Sequence, residues 1–292
     1  MNLWEKAKLW AFKFFGNSLD PVVDYFESIK PDLEKSGLGL SLREYVYIMI
    51  FSIFVVFIIE FPALTFIFAV FLSSGFAFFL SLTITILLLL GLFFFFYTYP
   101  AFLTGRRAKE IEASLPFISI YLSSLTASGV PPVAMFKLLA NFKEYKEIAK
   151  EAAKIHRDVE YFGMNLEQAI RKAAMRTPSK EFKEMLLGLL TVLSSGTDLS
   201  KFFMEKAKAF MSEYRRRLEN YSKILAIFTE MYLTMITVGS IFFIILTVVM
   251  SLFSSGNFTS TVLLFQFFVV FFILPGITLG FIFLCRMMSP GV

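Results

Sequence analysis

The chain has 292 residues, 57 % of them hydrophobic and 17 % charged, with a formal net charge of +5; a soluble domain is about 45–50 % apolar and about 25 % charged. Such a balance excludes a protein held wholly in water. A single His and a single Cys (Cys285) also exclude a Cys/His zinc site, a Cys–His nucleophile pair and an intramolecular disulfide.

In residues 1–44, apolar and basic side chains interleave (Leu3, Trp4, Lys6, Lys8, Trp10, Lys13, Phe14) without the separate charged and apolar regions of a secretory signal. The pattern predicts a short amphipathic helix, lying at a membrane interface or packed on a cytoplasmic domain. Pro21, Pro31 and Gly37 break the rest of this segment into short pieces.

Residues 45–103 form the first apolar block, 59 residues with one carboxylate, Glu60. A helix needs about 20 apolar residues to cross the hydrocarbon, so the block holds two spans, near 45–72 and 76–99, turning at Ser73-Ser74-Gly75. A competing turn at Glu60-Phe61-Pro62 gives three shorter spans. Charge favours two. Residues 104–223 carry 21 Lys and Arg against 14 Asp and Glu, and both turns of a two-plus-two arrangement are uncharged. The positive-inside rule then places the middle segment and both termini in the cytoplasm. The second apolar block, 224–285, has 62 residues and one carboxylate, Glu230. It divides at Ser254-Ser255-Gly256-Asn257 into spans near 224–253 and 261–285. The expected chain is therefore an all-α membrane protein: residues 1–44 cytoplasmic or interfacial, 45–103 a first transmembrane hairpin, 104–223 a cytoplasmic bundle of about six helices, and 224–292 a second hairpin with a short tail.

Between Phe142 and Phe162 the apolar residues Tyr145, Ile148, Ala152, Ile155 and Val159 recur at helical spacing. Lys143, Lys146, Lys150, Lys154 and Arg157 share another face, with Glu144, Glu147, Glu151 and Asp158 as a neighbouring acidic row. These charges make either a solvated face or a docking strip for an acidic partner. Gly129, Gly163 and Gly196 lie 34 and 33 residues apart, each where a helix can end left-handed. Pro131, Asn165 and Asp198 stand where the next helix begins, and Thr177-Pro178 supplies a further start.

No Gly-rich phosphate loop ending in Gly-Lys-Ser/Thr is present. His156 sits alone among the lysines, and no catalytic constellation is visible. Glu60 and Glu230 are the unusual residues, carboxylates inside apolar spans that cost about 2.5–3.5 kcal/mol at a span's centre. Arg286, at the end of the last span, is a candidate partner for Glu230. The charges invite a rival reading as a transporter or channel with a regulatory helical domain, although no repeated broken helices accompany them. A membrane enzyme, a third class, lacks the residues.

Leu115-Pro116-Phe117, Leu122 to Gly129 and Ala134 resemble the opening of the type II secretion F domain. Gly163-Met164-Asn165-Leu166-Glu167-Gln168-Ala169-Ile170 is similar to its second helix start, and Ser195-Gly196-Thr197-Asp198-Leu199 to a later Gly-x-Asp-Leu corner. Tyr99-Pro100, a basic run and then Leu-Pro also fit. The family includes inner-membrane platform proteins of type II secretion, type IV pili, Tad pili and the archaeal flagellum. One F domain after an extra hairpin resembles the shorter Tad-like and archaeal forms. The resemblance implies a non-enzymatic protein without cofactors, which couples a cytoplasmic secretion ATPase to extraction and stacking of pilin-like subunits. It implies membrane lipids, a second copy or a related platform subunit as further partners, and no nucleic acid. Lys143, Lys146, Lys150, Lys154, Arg215, Arg216 and Arg217 are then candidates for the ATPase-facing surface, the last three alternatively for anionic lipid.

Overall fold

The computed structural model describes residues 15, 20–253, 264 and 266–288. The expected amphipathic helix over Leu3–Phe14 and the turn at 254–257 lie outside the described residues. Those described form helices and no strand: α1 Asp20–Val23, a 3-10 turn Asp24–Ile29, α2 Lys30–Ser36, α3 Leu42–Phe71, α4 Ser74–Ala127, α5 Pro132–Ala140, α6 Lys146–Glu160, α7 Leu166–Arg176, α8 Lys180–Ser195, α9 Leu199–Phe253 and α10 Leu274–Met288, preceded by a π-helical turn at Val269–Ile273. The chain divides into two compact units between Met204 and Glu205.

Four helical stretches are long and apolar enough to cross a membrane: Leu42–Phe71, a window within Ser74–Ala127, one within Leu199–Met250, and Gln266–Arg286. In the first apolar block the break falls at Leu72–Ser73, and Pro62 stays inside α3. The competing turn at Glu60-Phe61-Pro62 is not formed, and the two-span reading of this block holds. α3 begins at a capping box: Ser41 Oγ accepts from Glu44 N–H, and Glu44 Oε2 accepts from Ser41 N–H at 2.9 Å. Two helices are much longer than their apolar stretches. α4 runs 54 residues, through Pro100 and Pro116, and α9 runs 55. The helix of the second span, near 76–99, thus continues well beyond it.

α3 and α4 run antiparallel. Tyr45 Oη donates to Phe96 O at 2.7 Å near one end, and Thr65 and Ser81 share a hydrogen bond of 2.7 Å near the other. On α4 the contact stripe is Ala77, Ser81 and Thr85, small residues four apart and all buried, which lets the two backbones approach closely.

Past the apolar stretch, α4 carries Ile111, Leu115, Ile118 and Leu122, all buried at the spacing of one helix face. With Phe182, Met185, Leu186 and Leu189 of α8 and with Phe203 they form the core of the first unit. Gly129, Gly163 and Gly196 take φ of 77°, 63° and 67°. Asn165 Oδ1 accepts from Glu167 N–H, and Asp198 Oδ1 accepts from Ser200 N–H at 2.8 Å. Two local expectations need correction. α6 starts at Lys146, because Phe142 and Tyr145 stack on each other and against Tyr121 and Phe117 of α4 instead of continuing a helix. α8 is capped by Ser179, whose Oγ accepts from Phe182 N–H, whereas Thr177 ends α7.

In the second unit Tyr232 of α9 meets α10. Its hydroxyl shares a 3.0 Å hydrogen bond with Thr278, and its ring stacks on Phe281 at 4.4 Å. The π turn lies just before Pro275, where the missing N–H and the ring's bulk break regular α-helical bonding.

The α3–α4 seam leads to a specific expectation. Ser81→Phe forces an aromatic ring between close-packed backbones and lowers stability by about 1–3 kcal/mol, read as a fall in the thermal midpoint of the detergent-solubilised chain, whereas Phe at exposed Leu87 leaves it unchanged.

Candidate functional site

Just beyond the last residue of the first apolar block, α4 becomes an attachment rail. Thr104 Oγ1 donates to Asp32 O of α2 at 2.8 Å. Three residues on, the guanidinium of Arg107 donates from Nε to Glu147 Oε2 at 2.6 Å, from Nη2 to Glu151 Oε1 at 3.2 Å, and from Nη1 to Lys35 O. Glu112 accepts from Ser179 Oγ, the cap of α8, at 3.1 Å. Within nine residues one helix thus holds α2, α6 and α8.

The acidic row of α6 is the centre of this arrangement. Glu151 is 1 % exposed and Asp158 0 %. Glu151 is bound by Arg107, by Lys154 at 2.7 Å and by Arg176 Nε of α7 at 3.0 Å. Asp158 is bound by Lys172 at 3.0 Å, by Arg157 at 3.2 Å and by Arg176 Nη1 at 3.5 Å. Glu147 takes Arg107 and Lys150. Neither a solvated face nor a docking strip describes Glu147, Glu151 and Asp158. They are buried at the edge of the core and neutralised within the chain.

Buried ions stay charged only when their partners outweigh lost hydration. Burial pushes all three carboxyls up. Hydrogen bonds from Lys150 and Arg107 on Glu147, from Lys154 and Arg176 on Glu151, and from Lys172 and Arg157 on Asp158 pull them further down, so each sits below the ordinary carboxylate range. A carboxyl lowered on folding adds stability that is complete above its unfolded pKa and is lost as pH falls through the folded one. The network therefore holds at neutral pH and loosens only in acid.

Gly37 closes the site. Its φ is 79°, and a Cβ built there would lie 2.9 Å from Arg107 Nη1; any other residue meets both left-handed strain and the guanidinium. A cleft of about 570 Å³ opens here, among the Gly37 loop, α4 and α6.

The remaining residues singled out from sequence make none of the clamp's ion pairs. Lys143 and Lys146 are exposed and form no ion pair among the described residues. Arg216 and Arg217 bind Glu213 of their own helix at 2.8 and 3.2 Å, and exposed Arg215 has no such partner among the described residues. Glu230 and Arg286 are both exposed and make no ion pair with each other, so that suggested contact is not formed; Glu60 has no ion pair among the described residues either. Among the described residues no group of three or more His, Cys, Asp or Glu could hold a metal. Arg107, Arg176 and Lys172 do not stand out in the sequence as site residues. Their signal lies in the helix register: Glu147, Glu151 and Asp158 each directly precede a member of the apolar stripe, which places them at its buried edge.

Residues 118–250 match the family model described as type II secretion system (T2SS), protein F. An uncharacterized protein of Methanocaldococcus jannaschii is 29 % identical over 153 residues, 51 % of this chain and 25 % of that one. Flagella accessory protein J of the same organism is 27 % identical over 175 residues, 59 % of this chain and 31 % of its own length. Flagella accessory protein J of Methanococcus voltae is 28 % identical over 145 residues, 49 % and 26 % of the two chains. The chain thus spans about a quarter to a third of the length of these curated relatives. No solved structure matches.

The clamp gives a contrast between neighbouring cations. Arg107→Met leaves buried Glu147 with Lys150 alone and strips Glu151 of one of its three cations, and costs about 3 kcal/mol, whereas Lys150→Gln, at a side chain 62 % exposed, costs about 1 kcal/mol or less. Thermal or denaturant unfolding of the solubilised variants checks the order.

Proposed function

From the match of residues 118–250 to the type II secretion system (T2SS), protein F model, we propose that the chain is a non-enzymatic platform in the cell membrane for a type IV pilus-like, archaellum-like or type II secretion machine. In this reading residues 45–103 and 224–292 are transmembrane hairpins, and residues 104–223, with their excess of basic charge, face the cytoplasm. Residues 1–44 lie with them on that side. The relatives named flagella accessory protein J favour a filament-assembling machine.

The observation that carries the reading is the continuity of α4. One helix runs from an apolar stretch into the clamp that holds α2, α6 and α8. A push on the helical domain would therefore move a membrane span without an intervening joint. Such a part suits the coupling of a cytoplasmic secretion ATPase to pilin-like subunits moved along the apolar spans. Lys143 and Lys146 are the preferred contacts for the ATPase, since Lys150 and Lys154 are turned to the buried carboxylates. Arg215, Arg216 and Arg217 stand beside the apolar part of α9, where anionic lipid competes for them. A second copy, or a related platform subunit, would complete the assembly.

The test is co-purification of the full chain with the secretion ATPase of its own source. Binding is expected, and Lys143→Glu with Lys146→Glu should weaken it about tenfold, equivalent to about 1.4 kcal/mol. A wild-type chain that leaves the ATPase unbound, and that passes solute in liposomes, overturns the platform reading in favour of a transporter.

A further inference from the structure

The cleft beside the clamp is left open by the ion pairs and hydrogen bonds of the site. Its volume of about 570 Å³ falls in the range of small-ligand sites. Gly37, Arg107, Arg106, Lys150 and Lys154 line it, and Tyr99 and Leu103 give it an apolar end. The donors differ in availability. Arg107 is the most engaged, with a bond from each of its three nitrogens. Arg106 binds Glu110 through Nε alone, and Lys150 and Lys154 each give one hydrogen bond. An ammonium has three N–H donors and a guanidinium five, so the rim keeps unused donors. Glu110 and Glu147 also line the cleft, but each already faces a cation, and positive charge is in excess.

The apolar end continues along α4. Phe95, Tyr99 and Leu103 are spaced four apart on one face, and the Phe95 and Tyr99 rings lie 5.4 Å from each other. Phe95 is exposed. A cationic cleft that opens onto an apolar ridge matches an amphiphile with an anionic head and an apolar tail.

We propose that this cleft binds the phosphate head group of an anionic membrane lipid, with its chains lying along Leu103, Tyr99 and Phe95. The head group would then meet α2, α4 and α6 at once, at the clamp itself. The inference rests on the reading of α4 as a membrane span and not on the ATPase as partner. Basic pockets at the cytoplasmic ends of spans commonly take lipid head groups; here Arg107, held by Glu147, Glu151 and Lys35 O, positions the rim and the neighbouring cations do the binding.

The experiment uses the full chain in neutral detergent, with phosphatidylglycerol, phosphatidylcholine or inorganic phosphate added, and reads bound lipid by native mass spectrometry and the thermal midpoint in parallel. Phosphatidylglycerol should bind and raise the midpoint, with phosphatidylcholine and inorganic phosphate much weaker. Arg106→Gln with Lys150→Gln and Lys154→Gln should lower phosphatidylglycerol affinity by at least about tenfold. Arg106→Gln alone, which touches only the exposed Glu110 pair, should give a partial loss in a folded chain even where the triple variant does not fold. Arg215→Gln with Arg216→Gln and Arg217→Gln should retain binding at the cleft. Phosphatidylglycerol binding untouched by Arg106→Gln and by the triple variant overturns the assignment. Inorganic phosphate binding as tightly as the lipid also overturns it, and makes the cleft a site for a soluble phosphate. A chain that binds phosphatidylglycerol but no ATPase removes the platform function and leaves this inference standing.

Discussion

Three buried carboxylates on one short helix cannot remain in place without cations, and these come from the helix itself and from the helices on either side. Arg107 reaches Glu147 and Glu151 from α4, and Arg176 reaches Glu151 and Asp158 from α7. Removing either partner of a buried pair costs about 3–5 kcal/mol because a bare charge is left behind. Hydrophobic burial holds the core stripe of α4 against α8 with little directional preference. The ion pairs fix which residue faces which, and so set the register of α6 against both neighbours.

That register matters because α4 does not stop where its apolar stretch stops. Pro100 and Pro116 both lie inside it, and the polar rail from Thr104 to Glu112 begins within one residue of Leu103. The transition from apolar span to charged domain is therefore made on a single continuous helix. Two devices keep the surrounding pieces close: a left-handed glycine at position 37 that lets the guanidinium of Arg107 approach the loop, and a hydroxyl cap at Ser179 that also donates to Glu112. The same crowding leaves the open cleft beside Arg106, Lys150 and Lys154. A cationic rim beside an apolar ridge is the natural result of placing a charge clamp at the end of a span.

Some of this was legible in the sequence. Helical content and four apolar stretches follow from composition and period alone, because both are local properties. Pro62 read as a possible turn, yet helical bonding on either side and packing against α4 carry the helix through it. Phe142 and Phe162 fitted the period of α6 and still lie outside it, since rings stacked on Tyr121 and Phe117 hold Phe142 elsewhere. The clamp was hidden for a different reason. Arg107 stands 40 and 44 residues from its two carboxylates, and separations of that size carry no periodic signal. What could be read was the position of the acidic row beside the apolar stripe, a place where a carboxylate needs a partner. Glu60 and Glu230 stand out as charges in apolar surroundings, but they form no ion pair among the described residues, whereas the ordinary-looking Glu151 and Asp158 each bind three cations.

The central claim is that α4 and α6 are joined through charge and not merely placed side by side. A double-mutant cycle on Arg107→Met and Glu151→Leu, measured by unfolding of the solubilised full chain, tests it most directly. Direct coupling predicts an interaction energy of about 1 kcal/mol or more between the two positions, while losses that add to within about 0.3–0.5 kcal/mol would contradict the clamp.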